Sequence, residues 1–227
     1  MTETPASPAA GLRDVTVWDP LLRITHWSFP LLIPAMWWTA ENSKWALHRQ
    51  IGLVLLGLLV FRLLWGFLGP ETARFSGFVK GPRAVIAYLR GDLAHGIGHS
   101  PLGGWSTLVL LGAMLLQVSM GLFAGDPYDG MTGPLNPLVG VMLADTITEL
   151  HETFFWVVAG LIGLHLAAIT FYAVRGDDLL SPMVSGDRPP MAGVAGIGAM
   201  PWGRAALAVG LAAGLALWVA YGAPPLT

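Results

Sequence analysis

An imidazole is costly inside a long apolar helix, and this chain places two there. Residues 151 to 165 read His-Glu-Thr-Phe-Phe-Trp-Val-Val-Ala-Gly-Leu-Ile-Gly-Leu-His, and the apolar run continues through Leu166-Ala-Ala-Ile-Thr-Phe-Tyr. At about 1.5 Å per residue a helix holds the two rings roughly 21 Å apart along its axis, one toward each face of a bilayer. At about 100° per residue the second ring returns to within roughly 40° of the first, so both face the same neighbours. Ionisable groups at such depth are functional hypotheses whose partners have to be found elsewhere in the chain.

The rest of the sequence agrees with a membrane setting. Only 11% of the residues are charged, against about 25% in an ordinary soluble domain. The apolar residues are bunched into segments of about 17 to 25, the length a bilayer requires, which disfavours a single large soluble core. A net charge of -2 with no basic run excludes nucleic acid as a partner. The absence of cysteine removes disulfides, thiolate metal sites, iron–sulfur ligation and covalently attached haem, leaving His and Met to hold any redox cofactor.

In chain order, residues 1 to 14 read as a disordered Pro/Ala/Ser/Thr-rich segment with no cleavable signal, so the first span is expected to serve as its own insertion signal. Ile24 to Ala40 is that span, with His26 in its first turns and Pro30 and Pro34 inside it, where kinks are expected. A polar turn, Glu41 to Lys44, precedes the second span, which opens at about Trp45 or His48 and fades at Pro70. The connection from Glu71 to His99 holds a short amphipathic helix, Pro82 to Leu89, suited to a membrane surface. The third span is Pro101 to Ala124, capped by Ser100, with Pro101 in the first helical turn. A Pro/Gly/Asp-rich loop follows, with a small surface helix expected over Pro137 to Leu143; then come the fourth span, about Ile147 to Val174, and a fifth, Arg204 to Tyr221. The expected fold is all-α and integral to the membrane: a four-helix transmembrane bundle over residues 15–188, with a loop and an extra C-terminal helix in 189–227.

Placing the amino terminus in the cytoplasm puts ten of the twelve Lys and Arg on that side, leaving Lys44 and Arg49 outside. His26 and His165 then lie toward the cytoplasm, and His48 and His151 toward the outer face. Two facing imidazoles at each of two depths are the ligand set of bis-histidine haem b, which leaves iron no open position and favours electron transfer. Gly52, Gly57, Gly121, Gly160 and Gly163 are positions where a flat macrocycle could approach a helix closely. Each histidine taken alone is equally well read as an interfacial or hydrogen-bonded residue; the joint placement of the four carries the haem reading. Arg62, fourteen residues after His48, faces the same way near the cytoplasmic pair. It reads either as a partner for a haem propionate or as an Arg snorkelling to the interface. His95 and His99 read as solvated loop or capping residues of the connection.

The segments Trp18-Asp-Pro-Leu-Leu-Arg-Ile-Thr-His26-Trp, His48-Arg-Gln-Ile-Gly, Phe61-Arg-Leu-Leu-Trp-Gly-Phe, Thr72-Ala-Arg-Phe, Gly98-His-Ser-Pro-Leu-Gly and Met183-Val-Ser-Gly, with the His151/His165 pair, carry a resemblance. As a set they resemble the bacterial cytochrome b561 family and the related b-type cytochrome subunits of nickel–iron hydrogenases and formate dehydrogenases, over roughly residues 15 to 188. The resemblance implies a four-helix core with two non-covalent haem b groups on His26, His48, His151 and His165. It also implies residence in the bacterial inner membrane and electron exchange between quinone or quinol and a redox protein such as a cytochrome c, a hydrogenase or a dehydrogenase subunit. One branch of the family oxidises superoxide, so a stand-alone superoxide:quinone oxidoreductase is a second reading. A histidine-dependent transporter without haem is a third.

Overall fold

The computed structural model describes residues 14–92, 98–126, 130–189 and 196–226, so all of the amino-terminal segment except Asp14 lies outside the described residues, as does His95. The first helix, α1 (Pro20–Glu41), begins where the sequence supplies an acidic cap followed by proline. Asp19 Oδ1 accepts the Leu22 N–H at 2.9 Å, and Pro20, which has no N–H to leave unsatisfied, takes the first helical position. The helix continues through Pro30 and Pro34 to the polar turn at residues 42–44. From there α2 (Trp45–Leu68) returns along α1 to the end where α1 began.

The connection after α2 contains a single helical turn, α3 (Phe75–Phe78), and the expected surface helix, α4 (Pro82–Leu89). α5 (Pro101–Phe123) starts with Ser100 Oγ accepting the Gly103 N–H at 3.0 Å, the cap its sequence predicts. α6 (Val141–Val174) carries His151 and His165 and packs chiefly on α5. It begins at Val141, earlier than expected, and the surface helix expected over Pro137 to Leu143 is instead one 3-10 turn, Asn136–Leu138. The reason is local: Gly140 separates that turn from Val141-Met-Leu-Ala, which contains no helix breaker and joins the long helix. A short helix, α7 (Leu180–Ser185), and the C-terminal α8 (Trp202–Ala220) complete the chain.

By length and composition α2, α5, α6 and α8 are able to cross a membrane. α1 has 22 residues, but Arg23, Thr25, His26, Ser28 and two prolines dilute its apolar content, and it falls short of that measure. The five expected spans are thus matched in composition by four helices. Outward positions such as Leu31, Phe67, Trp156 and Leu164 are exposed apolar side chains suited to lipid.

Two features tie the bundle together. Short antiparallel pairs, β1 (Val15–Thr16) with β4 (Asp187–Arg188) and β2 (Gly125–Asp126) with β3 (Met131–Thr132), close opposite ends. At the first, Gly186 adopts φ +97, and its carbonyl accepts the N–H groups of both Val17 and Trp18. The second is α8, which lies against α2. Ala205, Ala208 and Ala212 are buried with Leu22, Phe61 and Trp65, small residues on one face letting the helices approach. Leu59, Leu111, Met114 and Val158 form a further apolar cluster in the middle of the bundle.

Candidate functional site

The cations are unevenly divided between the two ends. One end, called basic here, carries Arg23, Arg62, Arg74, Lys80, Arg83, Arg90 and Arg175 beside acids such as Asp19, Glu71 and Asp177; the other, called acidic, carries Glu41, Asp126, Asp145, Glu149 and Glu152 with Lys44 and Arg49. A histidine pair lies toward each. Val158 sits seven residues from both His151 and His165, so the central apolar cluster separates the two levels.

At the acidic end the His48 and His151 ring centroids are 6.3 Å apart, with ring planes at 85°. Metal–imidazole nitrogen bonds of about 2 Å put the centroids of two opposed ligands roughly 6 Å apart, so the spacing fits one metal between the rings. Each ring is oriented from behind. His48 Nδ1 lies 3.0 Å from the Met36 carbonyl and 3.1 Å from Thr39 Oγ1, whose own hydroxyl donates to Met36 O. His151 Nδ1 lies 2.9 Å from the Gln117 carbonyl. Acceptors at Nδ1 fix the proton there and leave Nε2 as the acceptor nitrogen, the state a metal-binding imidazole needs; on His151 that nitrogen lies 3.5 Å from the Gln117 side-chain amide nitrogen, a long contact a metal would replace. Gln117 also donates its side-chain amide to the His151 carbonyl at 2.9 Å, fastening α5 to α6 at this point. The two histidines line a cavity of about 670 Å³ together with Gly52, Met114, Gly121 and Phe155. That volume lies within the range of small-molecule and cofactor sites.

The glycines divide. A Cβ on Gly121 would stand 3.0 Å from His151 Cε1, so this glycine makes room for the imidazole. Gly57 instead faces Ala216 of α8 at 3.6 Å, a helix contact and not a place for a macrocycle. Gly52 borders the cavity, and a Cβ on Gly160 or Gly163 would meet nothing within 4 Å.

At the basic end His26 lies within electrostatic reach of His165 and Arg62. Arg62 is only 5% exposed. Its Nη1 donates to the Ala73 carbonyl at 3.4 Å and its guanidinium lies 5.2 Å from the Phe75 ring centroid. It does not snorkel to the interface; the charge is folded inward. His99 differs from the solvated loop residue its sequence position suggests. Its ring packs between Trp18 at 4.9 Å and Phe78 at 4.3 Å, and its Nδ1 is buried without a partner. Burial, then the positive charge of Arg62, pushes its pKa down to about 3, so the ring is neutral. The sequence could have signalled this only through Gly98, where an added Cβ would stand 3.3 Å from the Trp18 ring, so the missing side chain lets the connection lie close to it. Nearby, the Tyr88 and Tyr172 hydroxyls meet at 2.8 Å, joining α4 to the end of α6.

Among the described residues no three His, Asp or Glu converge as a metal cage. The family model for prokaryotic cytochrome b561 matches residues 17–186. The chain belongs to this family. The matched region holds all four paired histidines, Arg62 and His99, and leaves α8 outside. Cytochromes of the b561 family are membrane electron-transfer proteins that bind haem b. No curated protein and no solved structure matches the chain.

Proposed function

We propose that this b561-family chain is a diheme cytochrome. Residues 15–188 would carry electrons across the bacterial inner membrane between the quinone pool and a redox protein, a cytochrome c or a hydrogenase or dehydrogenase subunit. The observation that carries the reading is the His48/His151 pair, 6.3 Å between centroids, with each Nδ1 turned to a backbone carbonyl. His48 and His151 hold one haem b and His26 and His165 the other. When bound, haem with two imidazole ligands supplies one-electron transfer at an iron with no open position.

The protein's own contribution follows from its geometry. The Met36 and Gln117 carbonyls hold the two imidazoles in the tautomer whose Nε2 is the acceptor nitrogen. Leu59, Leu111, Met114 and Val158 keep water out of the layer between the levels. α8 braces α2, the helix that carries both His48 and Arg62. Ten of twelve Lys and Arg toward one face orient that face to the cytoplasm.

The test is reconstitution into sealed vesicles with quinol on one side and an impermeant oxidant enclosed on the other. Quinol should reduce the b-type bands, and the electrons should cross to the oxidant. Fast quinone reduction by superoxide with no protein partner would replace the relay with a stand-alone oxidoreductase. Solute flux without any haem spectrum would replace it with a transporter.

A further inference from the structure

Buried nitrogen atoms without hydrogen-bond partners are concentrated at the basic end. Arg23 Nε, His26 Nδ1, Arg74 Nε and His99 Nδ1 are all buried and unpaired, whereas near the acidic-end pair the corresponding atom is a lone acceptor, Gln117 Oε1. Buried polar groups ordinarily find partners, so the unpaired Nδ1 atoms of His26 and His99, two rings within electrostatic reach of each other, mark the place of a group that accepts hydrogen bonds.

Arg62 sharpens the requirement. Its guanidinium is always charged and is buried, yet its contacts are one long bond to a neutral carbonyl and the face of Phe75. Asp19 acts on it through space. The two oxygens of Asp19 are already taken, Oδ1 by the Leu22 N–H and Oδ2 by the Trp65 indole N–H at 3.0 Å. A buried cation left in this state is costly, and an incoming anion would remove the cost. His99 belongs to the same cluster. Phe75, beneath Arg62, contacts Phe78 at 5.7 Å, which in turn packs on the His99 ring. His99 is also within electrostatic reach of Arg62, His26 and His165.

We propose that Arg62 and His99 form a two-donor cradle for a carboxylate of the cofactor held by His26 and His165, a haem propionate, with the guanidinium neutralising it and the imidazole donating to it through Nδ1–H. This rests on the diheme reading and adds a residue that the sequence placed in a solvated loop. It gives the basic-end site a polar wall, where the acidic-end site is defined by backbone carbonyls. Removing either donor leaves the carboxylate less stabilised, which favours the oxidised, more positive iron and lowers its potential.

The experiment compares purified holoprotein with Arg62→Gln, Arg62→Lys, His99→Leu and His99→Gln, measuring haem per chain and equilibrium redox titrations of both haems. The basic-end haem is identified as the component lost in His165→Ala. Arg62→Gln and His99→Leu should retain two haems while the reduced-to-oxidised ratio of the basic-end haem falls at least tenfold at fixed potential, equivalent to 59 mV for one electron. The donor-preserving variants, Arg62→Lys and His99→Gln, should recover most of that shift. Loss of the basic-end haem in the donor-removing variants but not in the donor-preserving ones also supports the cradle. Unchanged potentials in all four, a shift confined to the other haem, or equal loss in all four would overturn it. A wild-type protein without haem would refute the diheme reading itself, which the haem count reports separately.

Discussion

Gly121→Ala sets two known effects against each other. Gly121 lies in the last turn of α5, where alanine is favoured over glycine by at most the helix-interior value of about 0.8–1.0 kcal/mol, so the substitution alone should strengthen the helix. At this position, however, the new Cβ would stand 3.0 Å from His151 Cε1 and 3.5 Å from both ring nitrogens. Ordinary carbon contacts lie at about 3.5–4.0 Å, so the ring must retreat by roughly 0.5 Å. Its Nδ1 is 2.9 Å from the Gln117 carbonyl, and a retreat of that size carries the bond to the outer limit of hydrogen bonding. Losing it costs about 0.5–1.5 kcal/mol and releases the ring orientation. Disturbing a group that orients a metal-binding imidazole costs about 10–100-fold in affinity. The expected result is a normally folded protein whose acidic-end haem binds about tenfold more weakly in haem titrations of the apoprotein, with the basic-end haem unaffected. Gly112→Ala, in the same helix with nothing within 4 Å of the added carbon, is the control and should bind as wild type. Equal affinities in the two variants would refute the assignment of the His151 ring to the acidic-end site.

Two further consequences concern the basic end. Asp19→Ala removes the α1 cap, about 0.5–2 kcal/mol, and strands the buried Trp65 indole N–H, about 1–3 kcal/mol. Thermal unfolding in detergent should show a loss of about 1.5–5 kcal/mol, with a smaller loss for Asp19→Asn; no change would mean that this network does not hold α1 to α2. The Tyr88 hydroxyl is pushed up to about 12, by burial first and then by Tyr172. A raised acid pKa contributes stability that is complete below the unfolded value of about 10 and is lost as pH rises through about 12. The ultraviolet difference titration of wild type minus Tyr88→Phe should therefore show a tyrosine ionising near pH 12, and a component at pH 10 would contradict the Tyr88–Tyr172 hydroxyl contact.

Much of this architecture is legible in the sequence because its signals are local. Ser100-Pro101 and Pro82 mark helix starts, and the structure begins helices there, whereas α1 begins at Pro20, four residues before the expected span at Ile24, because Asp19 caps it. The juxtaposition of His48 with His151, and of His26 with His165, follows from helical rise and rotation once the spans alternate in direction. What stays hidden depends on tertiary contact. The partners of the imidazole Nδ1 atoms are backbone carbonyls of Met36 and Gln117, and a carbonyl has no letter in the sequence. His99 looks like a loop residue because the aromatic walls around it come from Trp18, 81 positions earlier, and from Phe78. Arg62 supports two readings until its burial is seen. The docking of α8 on α2 was equally hidden, since alternating small residues along a helix do not name the surface they meet.

If two imidazole pairs each hold one haem b, haem per chain and the oxidised and reduced optical spectra of the purified protein will show it. Two non-covalent b haems with low-spin bands that sharpen on dithionite reduction are expected, and one haem should remain in each of His151→Ala and His165→Ala. A haem-free wild type, or variants that lose both haems or neither, would contradict it.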